Sequence, residues 1–75
     1  MIRHRRIRIT DIKIGKRFRK DIGKLDGLAE SIRQVGLLHR IIITEDLKLV
    51  AGHRRLLACK TILKWKKIDA TVIET

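Results

Sequence analysis

Proline and tyrosine are absent from this 75-residue chain, and cysteine, methionine, tryptophan and phenylalanine each occur once. A single cysteine, Cys59, excludes an internal disulfide and any multi-cysteine zinc site, and fits a reducing cytoplasm. The lack of proline leaves no proline-rich linker, and no repeat or low-complexity stretch divides the chain, so one domain over 1–75 is expected. Its size lies near the lower end of what folds without disulfides or metal. Two aromatic rings, Phe18 and Trp65, are few for a protein that stacks successive bases of a single strand. No apolar run approaches the roughly 20 residues of a membrane helix, and no signal-type apolar block follows the basic start. Acids are scarce: eight Asp and Glu stand against nineteen Lys and Arg, giving a net charge of +11. No acids cluster, so metal chemistry held by carboxylates has few ligands to draw on.

What is present is apolar and cationic. Hydrophobic residues make up 44% of the chain, mostly Ile and Leu, enough for one core. A charge of +11 on so small a domain predicts attraction to polyanions and salt-sensitive association, without predicting which sequence is read. A thermophile's lysine-rich surface is the plainer alternative, but such surfaces carry balancing acids, and here acids are outnumbered. Nucleic acid or a phosphorylated small molecule is the expected partner class.

The basic segment 1–8 holds Arg3, Arg5, Arg6 and Arg8 with His4. From Arg6 the residues alternate, Ile7 and Ile9 on one face and Arg6 and Arg8 on the other, which predicts an edge strand with a cationic outward row. That row suits a phosphate backbone; charge also protects an open sheet edge. Lys16 to Lys24, flanked by Gly15 and containing Gly23, reads as a charged loop, with Phe18 anchoring it. Lys16, Arg17, Arg19 and Lys20 are placed to close over a ligand or simply to meet solvent. Leu25, Leu28, Ala29, Ile32 and Val35 form the stripe of an amphipathic helix, with Asp26 as cap and Gly36 as stop. Ile41 to Thr44 predicts a central strand covered on both faces. Glu45 to Lys48 turns, Lys48 to Ala51 returns as strand, and a second helix runs from His53 to Leu63 with Leu56, Cys59 and Leu63 inward. Trp65 packs where that helix ends, and Ile68 to Glu74 is a last strand. The sum is α+β: a small mixed sheet with two main helices.

The residues from Leu49 through Gly52 into His53, Arg54 and Arg55 carry the chemistry. A glycine between strand and helix lets a ligand approach the backbone. The first N–H groups of the helix lack internal partners and favour an anion, and two guanidinium groups add forked donors. Together they form a phosphate cradle, though not a Walker A loop, whose spacing is absent. The competing reading is a solvated basic helix start. Cys59 reads as a small core residue.

Leu28-Ala29-Glu30-Ser31-Ile32, Gly36-Leu37-Leu38-His39-Arg40-Ile41 and Leu49 to Lys60 resemble the N-terminal domain of the ParB family, also called the ParB-like nuclease domain, within the ParB/sulfiredoxin fold. Arg19-Lys20-Asp21 resembles the arginine segment before the family's first helix, and the likeness runs from about Arg6 to Glu74. It implies that Gly52, His53, Arg54, Arg55 and Ala58 match the G-E-R-R-x-x-A segment that holds the triphosphate of CTP in partition proteins. Arg19 would then approach the nucleotide from its loop, and Leu38, His39, Arg40 and Ile41 would border the base. His53 replaces the family's usual glutamate, Arg40 a common proline and Lys64 a frequent glycine. The chain stops at Thr75, before the family's further phosphate motif and helix-turn-helix domain, so it reads as a fragment or a minimal module. Sulfiredoxin's cysteine would fall where His53 stands.

The expected function is therefore a nucleotide- and DNA-associated module in partition or DNA-linked regulation, with CTP or another nucleoside triphosphate at the cradle. DNA contacts are expected from Arg3, Arg5, Arg6, Arg8, Lys16 and Arg17. Mg²⁺ is allowed beside the nucleotide, zinc is not expected, a homodimer is allowed and no membrane is involved. The alternative is an enzyme of the same fold: a nuclease, a nucleotide hydrolase or a small-molecule kinase, with Glu30 or Asp21 as the carboxylate. A helix-turn-helix reader built on the helix at His53 is disfavoured, since that helix follows a strand.

Overall fold

The computed structural model describes residues 2–15 and 23–74. It is α+β, with a four-stranded mixed sheet: β1 (Arg3–Arg8), β2 (Ile41–Thr44), β3 (Leu49–Ala51) and β4 (Lys67–Ile73) in the order β1-β4-β2-β3. β4 runs antiparallel to β1 and parallel to β2, and β2 and β3 form an antiparallel pair. Register aligns Ile7 with Ile68, Ile41 with Ala70 and Ile43 with Val72. Partnered residues share a face, and these six are all buried, so the β-branched run at Ile41 supplies the centre of the core. Ile42, between two wholly buried neighbours, is only half-buried. β2 is thus sealed on one face and partly covered on the other, rather than sealed on both as its composition suggests.

The edge strand begins earlier than the alternation alone indicates, at Arg3, because pairing with β4 continues as far as Val72. After it, a 3-10 turn at Ile9–Asp11 sends the chain across the sheet with Ile9 and Ile12 buried. Lys13 then pairs beside β3: its N–H donates to the Leu47 carbonyl at 2.7 Å, and its carbonyl accepts from Leu49 at 2.8 Å. Segment 9–13 therefore spans from one sheet edge to the other.

Helix α1 (Asp26–Val35) buries Ala29 and Ile32, as the stripe predicts. Two details differ. Leu25 holds the N-cap position and no side chain caps the helix, so Asp26 acts only through its charge near the positive helix end. Val35 is 58% exposed, because the core ends one turn earlier at Ile32. Gly36, at φ 82°, ends the helix as expected, its N–H donating to the Ile32 carbonyl at 2.7 Å.

Helix α2 (His53–Leu57) continues directly into a π-helical turn, Ala58–Ile62, closed by the Leu63 N–H on the Ala58 carbonyl at 3.1 Å. Leu56, Ala58 and Cys59 are buried, but the wider turn swings Ile62 outward to 41% exposure. Lys64 then adopts φ 56°, and the Trp65 N–H reaches back to the Cys59 carbonyl at 2.8 Å. This left-handed position after a helix favours glycine. Lys64→Gly is expected to stabilise the fold by about 0.5–1 kcal/mol, read as a rise in the urea midpoint at unchanged m-value.

Candidate functional site

Gly52 sits at the handover from β3 to α2 with φ 97° and ψ 27°, and its carbonyl accepts the first helical bond, from the Leu56 N–H at 2.9 Å. A Cβ at this position would lie 2.8 Å from the Ile41 Cγ2 and 3.1 Å from the Ile41 Cα. Glycine is thus required first by protein. Ile41 fills the space that the sequence alone suggests a ligand would use.

Around Gly52 lies an open depression of about 310 Å³, lined by Leu28, Gly52, His53, Arg54 and Arg55. α1 provides one wall through Leu28, and the start of α2 provides the rest. Among the described residues, Arg54 and Arg55 line it and no carboxylate does. The two arginines divide the work. Arg54 Nη2 donates to the Lys24 carbonyl at 3.0 Å, tying the approach to α1 onto α2. Arg55 is half-buried and, among the described residues, has no hydrogen bond or ion pair, which leaves its guanidinium open to an anion. The stripe reads Leu28 as a core residue; half-buried near the start of α1, it also lines the depression.

Other expected site residues are placed differently. Leu38, 73% exposed, and His39, also exposed, lie on the connection between α1 and β2. They precede Ile41, the residue against Gly52, but do not line the depression. Ala58 is wholly buried, so it contributes by letting the helix pack closely and has no surface for direct contact. Lys16, Arg17, Arg19 and Asp21 lie outside the described residues.

The β1 arginines do not make one row. Alternation puts His4, Arg6 and Arg8 on one face and Arg3 and Arg5 on the face of Ile7. Three are in exposed ion pairs: Arg3 with Glu45 at 3.8 Å, Arg6 with Asp69 at 3.1 Å and Arg8 with Asp11 at 3.0 Å. Such exposed pairs hold little free energy.

Glu30, the carboxylate considered for kinase chemistry, accepts hydrogen bonds from Arg33 and Gln34 on the exposed side of α1. The Arg33 bond, then the Gln34 bond, hold its pKa below the ordinary value, which makes it a poor base. Cys59 is wholly buried, and desolvation raises its pKa to about 11. The unfolded thiol ionises first as pH rises, so Cys59 favours the fold below about pH 9 and less so up to about 11. Native protein at pH 8 is expected to react with a thiol-specific disulfide reagent at least about 100-fold more slowly than urea-unfolded protein. Among the described residues, no group of three or more His, Cys, Asp or Glu is placed to hold a metal ion.

A family model described as the ParB N-terminal domain matches residues 2–75. No curated protein sequence matches the chain. Two solved structures of the pNOB8-like ParB N-domain superpose on the whole chain with TM-scores of 0.82 and 0.80, at 18% and 19% identity. A C-terminally truncated chromosome-partitioning protein ParB from Caulobacter crescentus, complexed with CTP-gamma-S, superposes on 96% of the chain with TM-score 0.76 and 25% identity. The chain spans less than half of each of these: 31%, 28% and 44% of their lengths. Matched over 2–75, the chain belongs to the ParB N-terminal domain family.

Proposed function

We propose that this domain binds the phosphates of a nucleotide, CTP foremost, at the Gly52–Arg55 depression and serves in DNA partition or DNA-linked regulation. The observation that carries this reading is the hollow at the strand-to-helix handover, where among the described residues no acid lines the wall and the Arg55 guanidinium has no partner. Support comes from the nucleotide complex of the Caulobacter relative, whose chain shares the fold over nearly all of this one. Arg55 is assigned as the main phosphate ligand, Arg54 as the residue that fixes the entry to α1, and Arg19, Leu38 and His39 as candidates bordering the rest of the nucleotide. Mg²⁺ would be held mainly by phosphate oxygens and water, as that ion commonly is. DNA association is assigned to the exposed arginines of β1, Arg3, Arg5, Arg6 and Arg8, on a chain whose net charge is +11.

Calorimetric titration with CTP, ATP, ADP and GTP tests the reading. Saturable binding that ranks the triphosphates above ADP and CTP above ATP and GTP supports it. Equal, weak heats for all four would reduce it to general polyanion attraction.

A further inference from the structure

A second hollow, about 530 Å³, lies away from Gly52 and is lined by Arg6, Gly36, Leu37, Trp65, Lys66, Lys67, Ile68 and Asp69. It joins the only tryptophan of the chain to a cationic rim. Trp65 is held by its backbone bond to Cys59 but is 36% exposed, and Leu38, two residues beyond Gly36, is more exposed still. The nucleotide reading uses none of Trp65, Lys66 or Lys67.

The hollow does not end at Asp69. Arg6 and Asp69 also line a neighbouring depression with His4, Arg5 and Arg40, so the two hollows adjoin at this ion pair. Register fixes its cations: Arg8 lies opposite Lys67 and Arg6 opposite Asp69. Asp69, the acid shared by both hollows, is already covered by Arg6 at 3.1 Å. Same-face residues along β1 are spaced by about 7 Å, so Arg6, exposed beside Asp69, and then His4 lead away from the exposed indole.

The geometry points to a second binding site, for single-stranded nucleic acid, in which an unpaired base stacks on Trp65 and the sugar-phosphate chain follows Lys66, Lys67, Arg6 and Arg40. A flat aromatic surface next to lysines is the arrangement that takes an exposed base face together with its phosphate. A duplex keeps its bases stacked inside and offers the indole nothing. An acidic protein segment would use the rim but leave the ring without a flat partner, and a second copy of this chain would bring +11 against +11. Because only one ring is present, the site seats one unpaired base, as at a loop, gap or strand end, rather than a long strand.

Trp65 is the chain's only tryptophan, so its fluorescence reports on the site directly. A (dT)12 oligonucleotide titrated at fixed salt is expected to quench it saturably, while a 12-base-pair duplex leaves the indole emission unchanged. Trp65→Ala, followed by anisotropy of labelled (dT)12, is expected to weaken binding by about 5- to 100-fold. Lys66→Gln/Lys67→Gln keeps the fluorophore and is expected to weaken the quench at least several-fold, with circular dichroism confirming the fold of both variants. Equal quenching by duplex or by poly-glutamate, or single-strand affinity unchanged in both variants, would overturn the assignment.

Discussion

Gly52→Ala is expected to cost about 3 kcal/mol or more, and to lower the melting temperature by at least about 12 °C. Two causes act together. The residue sits at φ 97°, where a side chain is strained, and the new methyl would lie 2.8 Å from the Ile41 Cγ2 and 3.1 Å from the Ile41 backbone. Ile41 is wholly buried and is the first residue of β2, paired with Ala70, so it has no room to retreat without disturbing the central strands. A domain of this length is stable by roughly 4–11 kcal/mol in total, which makes the loss a large share. Gly27→Ala is the control: Gly27 lies within α1, nothing stands within 4 Å of its would-be Cβ, and its φ is ordinary. That substitution is expected to stabilise by about 0.5–1 kcal/mol. Urea unfolding of both variants checks the pair.

Arg55→Ala should weaken CTP binding by about 10- to 150-fold, the worth of one hydrogen-bonded charge. Melting temperature should hardly change, since no described residue depends on the Arg55 side chain. Arg54→Ala should show the reverse balance. Its guanidinium already serves the Lys24 carbonyl, so its removal loosens the entry to α1 and lowers stability more than it lowers affinity. Calorimetry and thermal melts on the same two variants separate a ligand from a brace. Equal effects of both substitutions on both quantities would show that the division drawn between the arginines is wrong.

Much of the fold is legible in the sequence because periodicity carries it. The stripe through Leu28, Ala29 and Ile32 and the run Ile41 to Thr44 fix one helix and one central strand. Period is blind to where cover ends, which is why Val35 was expected inside and stands in solvent. It is equally blind to helix winding: the residues from His53 to Leu63 read as one α-helix, and nothing in their spacing announces the π turn that moves Ile62 outward. At the site, the strand-glycine-helix order and the paired arginines were readable, while their separate roles were not. Arg54 and Arg55 are neighbours with identical chemistry, and only the position of the Lys24 carbonyl distinguishes them. Gly52 shows the same limit from the other side. The sequence announces that glycine is needed, but whether a ligand or Ile41 needs it is decided by how β2 and β3 pair.

The central claim is that the backbone at the start of α2 and the Arg55 side chain receive phosphate oxygens. Amide chemical shifts of uniformly ¹⁵N-labelled protein, followed during CTP addition, test it most directly. The account predicts saturable shifts concentrated at Gly52, His53, Arg54, Arg55 and Leu56, with Leu28 beside them, and their disappearance in Arg55→Ala. Shifts confined to β1 or to Trp65 through Lys67, with the Gly52 to Leu56 amides unmoved at saturation, would contradict it.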